Sequence, residues 1–513
     1  MAVRQYIGAR YVTKIYENSL DPSSAEWEAG VAYEPLTMVT YNNSSYLSKK
    51  TVPASIGNPA ANATYWIVTG AYKGQILALE NKINNLIYIN VLNPPSGCPS
   101  LDPTNTNDNT ADLQGIINFI YQLKADTGII GACIYFPRGT YKINGTVDVN
   151  TAHIRFLGEE NGGTRFECDT TDPAGLDMFY VHANFIEFEQ IAFWIMGDNT
   201  YVNTFIHSAS GTRKVSINDC MFYDAKYALV FEDSPGVRAQ NATVAFNVIT
   251  YTDPIGFNFK GLCNSSYLLN CVGSMKGSTG TALKLEGTPN DFYLEHFESS
   301  RGADGCEITS DTSTKCIDIQ LIDCVFDEPN RYGLYIHNLN SESEVSVIGG
   351  CIIPKTNGSK GVRIENCKNI KIEGLKVLNT STHNLTNVDG VSLSAIVENI
   401  LITGCNFYDM IRSLICTPGG SNVFKNVIFN NNLIVNENQT GGTTYVSKTK
   451  GGSVSNNSYR GNITQAMNID SSSSNVMCVG NVGLTTSSVT NSYLGTYSPT
   501  GFEPTLTNSF IVD

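Results

Sequence analysis

The sequence predicts a mainly β protein whose largest part is a right-handed parallel β-helix of about twelve rungs, and three observations carry that expectation. The chain is 42% apolar but only 16% charged, so its surface must be rich in Asn, Ser, Thr and Gly, as in turn-rich β proteins. From about residue 186 onward no helical period appears, only short apolar/polar alternations broken by Gly, Asn and Asp. Those alternations repeat. Each ends in a turn at Cys or Asn followed by another apolar residue: VSINDCMF at Cys220, YLLNCVG at Cys271, IQLIDCVF at Cys324, ILITGCNF at Cys405 and IFNNNLI at Asn432. Further members centre on Asn247, Cys351, Asn457 and Asn481, with weaker ones at Gln190, Phe297 and Leu375, at intervals of 24 to 30 residues.

Register supports the repeat. Three positions before the turn residue stand Ile217, Val244, Leu268, Leu294, Leu321, Ile348, Ile372, Ile402, Phe429, Val454 and Cys478, and only the first rung, with Glu187, departs. Such columns arise when equivalent strands stack about 4.8 Å apart and bury their inward residues on one another. A coil of this length holds three short strands and three turns, whereas a propeller blade needs about 40 residues. The Cys/Asn column then reads as an internal ladder, Cys serving as a small hydrophobe and Asn pairing its amide with the next rung.

The elements follow in order. Residues 1–73 hold Trp27, Trp66 and many tyrosines between Pro35, Pro53 and Pro59, a small aromatic β module. Residues 74–92 place Ile76, Leu79, Ile83 and Leu86 at steps of three and four. This is a short coiled-coil seam or, equally, an amphipathic linker helix packed on its own chain. Residues 93–484 are assigned to the β-helix, opened by a capping helix over 108–125 with Asp108 or Thr110 as N-cap and an apolar stripe of Leu113, Ile116, Ile117 and Ile120. CIYFPRGTYKI reads as strand, turn and strand. Residues 485–513 form a Ser/Thr-rich tail.

Charge and cysteine exclude some functions. A net charge of −14 with no basic run repels polyanions, so nucleic acid is not expected as a partner. The amino terminus lacks a secretory signal and no apolar run is long enough to insert in a membrane, so the product is expected to be made in the cytoplasm. Fourteen cysteines without a CxxC pair read as buried free thiols. The six histidines show neither HxH nor HExxH spacing, and no metal site is expected.

DNTADLQGIINFIYQLKADTGIIGACIYFPRGTYKINGTVDVNTAHIRFLGEENGGTRF, from residue 108, resembles the start of the pectate-lyase-like β-helix superfamily of many bacteriophage tailspikes, in its helix, its YFPxGTY strand pair and its LxGE turn. Arg138 departs, standing where Pro or Gly is common. Residues 24–70, with Trp27, Gly30, Tyr33, Val39, Tyr41, Tyr46 and Trp66, resemble chitin-binding modules of families 5 and 12, and together with RQYIGARYVTKIYENS they resemble the start of tail proteins of phages of Gram-positive gut bacteria. These resemblances imply a homotrimeric tailspike or fibre of the virion. It would assemble in the host cytoplasm, attach to other tail or baseplate proteins and bind bacterial surface polysaccharide.

Glycosidic cleavage generally needs two carboxylates, roughly 5 to 5.5 Å apart for retention or 6.5 to 9.5 Å for inversion. The densest titratable patch after aligning rungs holds Glu295, His296, Glu298, Arg301 and Asp304 on one coil and Asp323, Asp327, Glu328 and Arg331 on the next. Glu295, Asp327, Glu298, Asp323 and His296 are therefore the catalytic candidates, weighed against an exposed ion-pair ladder that only decorates the rod. Arg301, Arg331, Trp194 and Tyr223 are the candidates for substrate contact, and Trp27, Tyr46 and Trp66 stand with them through the module resemblance. No cofactor is expected, although lyase chemistry would admit Ca2+. The leading reading is an enzyme that binds and depolymerises surface polysaccharide by hydrolysis or β-elimination; a non-cleaving adhesin and a structural tail protein of the same fold are the alternatives.

Overall fold

In the computed structural model the described residues are 26–42, 44–70, 86–483 and 489–490, less short stretches at 161, 172–174, 196–200, 248–250, 277–278, 288, 311–314, 381–384, 439–440, 464, 471 and 474–475. The chain divides between Ile87 and Tyr88 into two units.

In the first unit, Met38–Tyr41, Ser44–Ser48 and Trp66–Gly70 form an antiparallel sheet. Its aromatic side chains are the core: Trp66 is 1% exposed and Tyr46 7%, packed with Val39 and Val52 and flanked by Trp27, Tyr33 and Tyr41. This corrects the sugar-stacking expectation for Tyr46 and Trp66, whose rings are spent on packing in a module too small to have another core. Trp27 is half-buried and meets Tyr41 edge-on at 5.5 Å.

Ile76, Leu79 and Ile83 lie outside the described residues, but Leu86–Asn90 is a strand and not the end of a helix. The local pattern explains the difference: Ile87 and Ile89 are buried while Tyr88 is 57% exposed, a period of two. From Tyr88 on, this strand opens the second unit, where Tyr88 stacks on Tyr135 at 5.7 Å.

The second unit is a parallel β-solenoid. Its first face contains Val215–Asn218, Ser266–Leu269, Phe292–Glu295 and Ile319–Ile322. The second face is a sheet of fourteen strands, among them Met221–Tyr223, Val272–Met275, Glu298–Arg301 and Val325–Asp327. The third includes Tyr227–Glu232, Ile255–Gly261, Thr281–Gly287, Asp304–Thr309 and Tyr332–His337. Each coil visits the three in turn and pairs in parallel with the next. The solenoid is capped by helix α1, Thr110–Thr127, which buries Leu113, Ile116, Ile117 and Ile120 and ends at Gly128 with φ 73°. Asn109 holds the N-cap position, while Asp108 accepts the Thr110 N–H at 3.0 Å. The FPRG turn that follows is closed by Glu159, whose carboxylate accepts the Arg138 N–H at 2.8 Å.

The inward column runs Phe188, Ile217, Ala239, Leu268, Leu294, Leu321, Val347, Ile372, Ile402, Phe429, Val454 and Cys478. Phe188, Ala239 and Val347 thus replace Glu187, Val244 and Ile348 of the sequence reading, and the anomalous glutamate disappears. At the turn, Ile191, Ala242 and Gly350 replace Gln190, Asn247 and Cys351. The VAFNVI alternation is real but belongs to the second face, as Thr243–Phe246, while Cys351 pairs with Val325. Coil lengths vary in the other two turns, so equal spacing misplaces a rung whose turn lacks Cys or Asn.

The expected ladder is present. Cys324 Sγ donates to the Ile322 carbonyl at 3.5 Å. Asn432 Nδ2 donates to Asn457 Oδ1, and Asn457 Nδ2 to Asn481 Oδ1, each at 3.0 Å. Where the third face begins, Gly305, Gly333, Gly361 and Gly390 lie under Phe326, Ile352, Val377 and Phe407; a Cβ on Gly333 would sit 2.3 Å from Ile352 Cγ2.

Candidate functional site: a cleft on the third face

Parallel register places Asn258, Lys284, Glu307, Tyr335 and Arg363 in one outward column of the third face. Two positions along, Lys260, Glu286, Thr309, His337 and Glu365 form another. Where this face meets the turn from the second there is a cleft of about 410 Å³, lined among others by Asp253, Ile255, Thr281, Lys284, Glu307 and Arg331. The column spacing of one strand brings the charged groups into a connected row. Lys284 Nζ lies 3.2 Å from Glu286 Oε2 and 3.9 Å from Glu307 Oε2. His337 Nε2 donates to Glu307 Oε1 at 2.9 Å, while Asn338 Nδ2 donates to His337 Nδ1 at 3.1 Å and so places the ring proton on Nε2. Tyr335 stacks on His337 with centroids 3.9 Å apart.

Burial alone would raise the Glu307 carboxyl, but the His337 hydrogen bond and the Lys284 charge outweigh it and hold the group below the usual range. Glu307 is thus kept ionised. Beneath the cleft Asp304 is fully buried. Burial raises its carboxyl, opposed by the Arg331 guanidinium, which grips both oxygens, with Nε donating to Oδ1 at 2.9 Å. Asp304 orients Arg331 and cannot itself touch a ligand. One ammonium, that of Lys284, thus stands between two carboxylates, Glu286 and Glu307, and a pair of carboxylates is what glycoside hydrolysis generally uses. Among the described residues no group of three or more His, Cys, Asp or Glu could hold a metal ion.

Similar solved structures share this architecture. A Glu-to-Gln variant of the tailspike protein of E. coli bacteriophage HK620, in complex with a pentasaccharide, matches with a TM-score of 0.60 at 12% identity, over 83% of this chain and 80% of that one. An Asp-to-Asn variant of the same tailspike with pentasaccharide matches with a TM-score of 0.61 at 11% identity, over 93% and 83%. The fold is that of a phage tailspike. A doubly substituted variant gives a TM-score of 0.56 at 12% identity. No family model and no curated protein matches the sequence.

On this tailspike fold the residues singled out by sequence are placed as follows. His296 and Asp323 stack as neighbours in the turn between first and second faces, where His296 N–H donates to the Ile322 carbonyl and both take positive φ. Arg301 Nε lies 3.6 Å from Glu328 Oε2. Glu298 pairs with Val325, leaving Asp327 diagonal to it beside Ser300. Glu295, however, ends a first-face strand and accepts the Tyr267 hydroxyl at 2.9 Å, whereas Asp327 ends a second-face strand. The two stand on different faces, which argues against their acting as one dyad. Trp194 and Tyr223 do meet, on the outer second face, at 4.3 Å, with Arg165 over the indole at 5.5 Å. Arg331 alone of the candidates lines the cleft. Lys284, Glu286, Glu307 and His337 do not emerge from an alignment of the first turn alone, but TALKLEG, DGCEIT and YGLYIH show the same alternation, and their register stacks these residues.

Proposed function

We propose that the chain is a tailspike of a bacterial virus that binds a surface polysaccharide across the third face and hydrolyses it at the cleft. The observation that carries this is the row formed by Lys284, Glu286, Glu307 and His337 beside an open cleft on a β-solenoid. Glu307, held ionised, takes a proton from the attacking water, and Glu286 gives one to the departing glycosidic oxygen as the C–O bond breaks. Tyr335 and Arg331 supply stacking and hydrogen bonding to the sugar. Attachment to other tail proteins through the amino-terminal part and assembly of three chains complete the reading, with no nucleic-acid partner. No described helix is long and apolar enough to cross a membrane.

One observation favours an adhesin that binds without cutting. Lys284 contacts both carboxylates, so each already has a cationic partner, as in an ion-pair ladder that only binds. Incubation with purified bacterial surface polysaccharides, followed by size exclusion, separates the two. Hydrolysis shortens the chains and Glu307→Gln slows shortening by about a hundredfold or more, leaving binding within a few-fold. Binding without shortening establishes the adhesin, and unsaturated products absorbing in the ultraviolet would make the chemistry elimination instead. Binding to no polysaccharide overturns the proposal.

A further inference from the structure

Every cation on the third-face strands among the described residues is already engaged by a carboxylate. Lys260 Nζ lies 3.4 Å from Glu232, Lys284 3.2 Å from Glu286, and Arg363 3.4 Å from Glu365. Lys360 and Arg412 share the buried Asp389 at 2.7 and 2.6 Å. Arg331, which leads into Tyr332–His337, is held by Asp304, and Lys226, in the same column ahead of Tyr227–Glu232, lies over the Tyr227 ring at 5.3 Å. Two further acids on this face pair with histidines, Asp177 with His207 and Asp148 with His182. The face therefore offers alternating donors and acceptors but no surplus of positive charge, on a chain whose net charge is −14.

We infer that the polysaccharide accepted by this face is a neutral one, recognised through its hydroxyl groups, and that uronate, sialate or phosphate-bearing glycans are rejected. The inference rests on the glycan-binding reading above and adds the class of glycan. A sugar hydroxyl both donates and accepts, so it can bridge an ion pair such as Lys284 and Glu286 without separating it. An anionic sugar would have to draw a cation away from its carboxylate and leave that carboxylate facing a like charge. The surrounding negative field adds a repulsion that acts before contact.

The full chain is applied to an array of bacterial surface polysaccharides with neutral and with acidic repeating units, in buffers of about 0.05 and 0.5 M salt, where screening differs several-fold in range. The expected result is binding confined to neutral repeats and changing less than twofold with salt. A second arm uses Glu232→Gln, which uncovers Lys260, with polygalacturonate as probe; a several-fold gain over the unaltered chain is expected. Binding confined to acidic repeats and weakened tenfold by salt overturns the inference while leaving the glycan-binding reading intact. So does the absence of any gain in Glu232→Gln. Binding to neither class overturns both.

Discussion

His207 is a case in which burial and charge compete at one side chain. Burial alone would lower its imidazole, but the 2.6 Å contact with Asp177 and the Glu232 carboxylate beyond raise it overall. Asp177 is pushed up by burial and pulled further down by His207 and Asn203, so it ends below the usual carboxylate range. A raised base contributes stability that is complete below its unfolded value near 6.5 and fades as pH rises through the folded one; a lowered acid contributes stability that fades as pH falls. Thermal unfolding of the unaltered chain should therefore show a loss on going from about pH 6 to pH 8 that His207→Asn abolishes. A parallel pH slope in both proteins would refute the pairing. Arg331 makes a separate case, since removing it leaves Asp304 buried and unpaired. Breaking such a pair costs about 3 kcal/mol, discounted toward about 2 because the guanidinium is half exposed. Arg331→Ala should lower the melting temperature, whereas Asp304→Asn combined with Arg331→Met should recover much of the loss. If the double variant melts no higher than Arg331→Ala, the buried charge is not the cause.

At the level of strands, what the sequence disclosed depended on which residues marked the turn. Cys220, Cys271, Cys324, Cys405 and Asn432, Asn457 and Asn481 marked their rungs because a buried thiol or amide at that bend finds a carbonyl or amide of the stack to bond. Ala242 and Gly350 fill the same position without a recognisable side chain, so their rungs slipped. The functional row was missed for a related reason: the third-face strands carry no marker residue, and a charged side chain at period two looks the same on a solvated face as in a cleft. What places Glu307 beside Lys284 is register across coils, which sums all intervening turn lengths. The glycine stripe sets that register physically. Gly333→Ala would drive a methyl into Ile352 and the Gly361 carbonyl, at a cost of about 1 to 3 kcal/mol for overpacking. Ile352→Ala opens the space that the methyl needs, so the double variant should be more stable than the two single losses predict. Strict additivity in urea unfolding would show that the stripe and the second-face column are not interlocked. Asn457→Ala, in turn, strands the backbone N–H of Asn432 and leaves the Asn432 side-chain amide with only the Ile402 carbonyl. It should cost about 2 kcal/mol or more, with Cys405→Ala costing less because a weak S–H donor is lost without stranding an amide.

Over the chain as a whole, the fourteen cysteines are all free, and most are buried in the solenoid. Only Cys98, Cys133 and Cys351 are partly exposed. Burial pushes the Cys98 thiol up to about 11 and those of Cys220, Cys271, Cys324 and Cys405 up to about 12. Since the thiolate is the reactive species, the core column is protected twice, by exclusion of reagent and by the scarcity of the anion. Titration with a disulfide reagent near pH 8 should therefore register at most three thiols in the native protein within minutes, and all fourteen once it is unfolded without reductant. The remaining eleven should react only as fast as coils open, so their rate measures the local stability of the stack, and a ligand lying across several coils should slow it. Fast reaction at Cys220, Cys271 or Cys324 in the native state would mean that the turn column is not packed as described. A count below fourteen in denaturant would mean that some of these thiols are oxidised, against the free state of all fourteen.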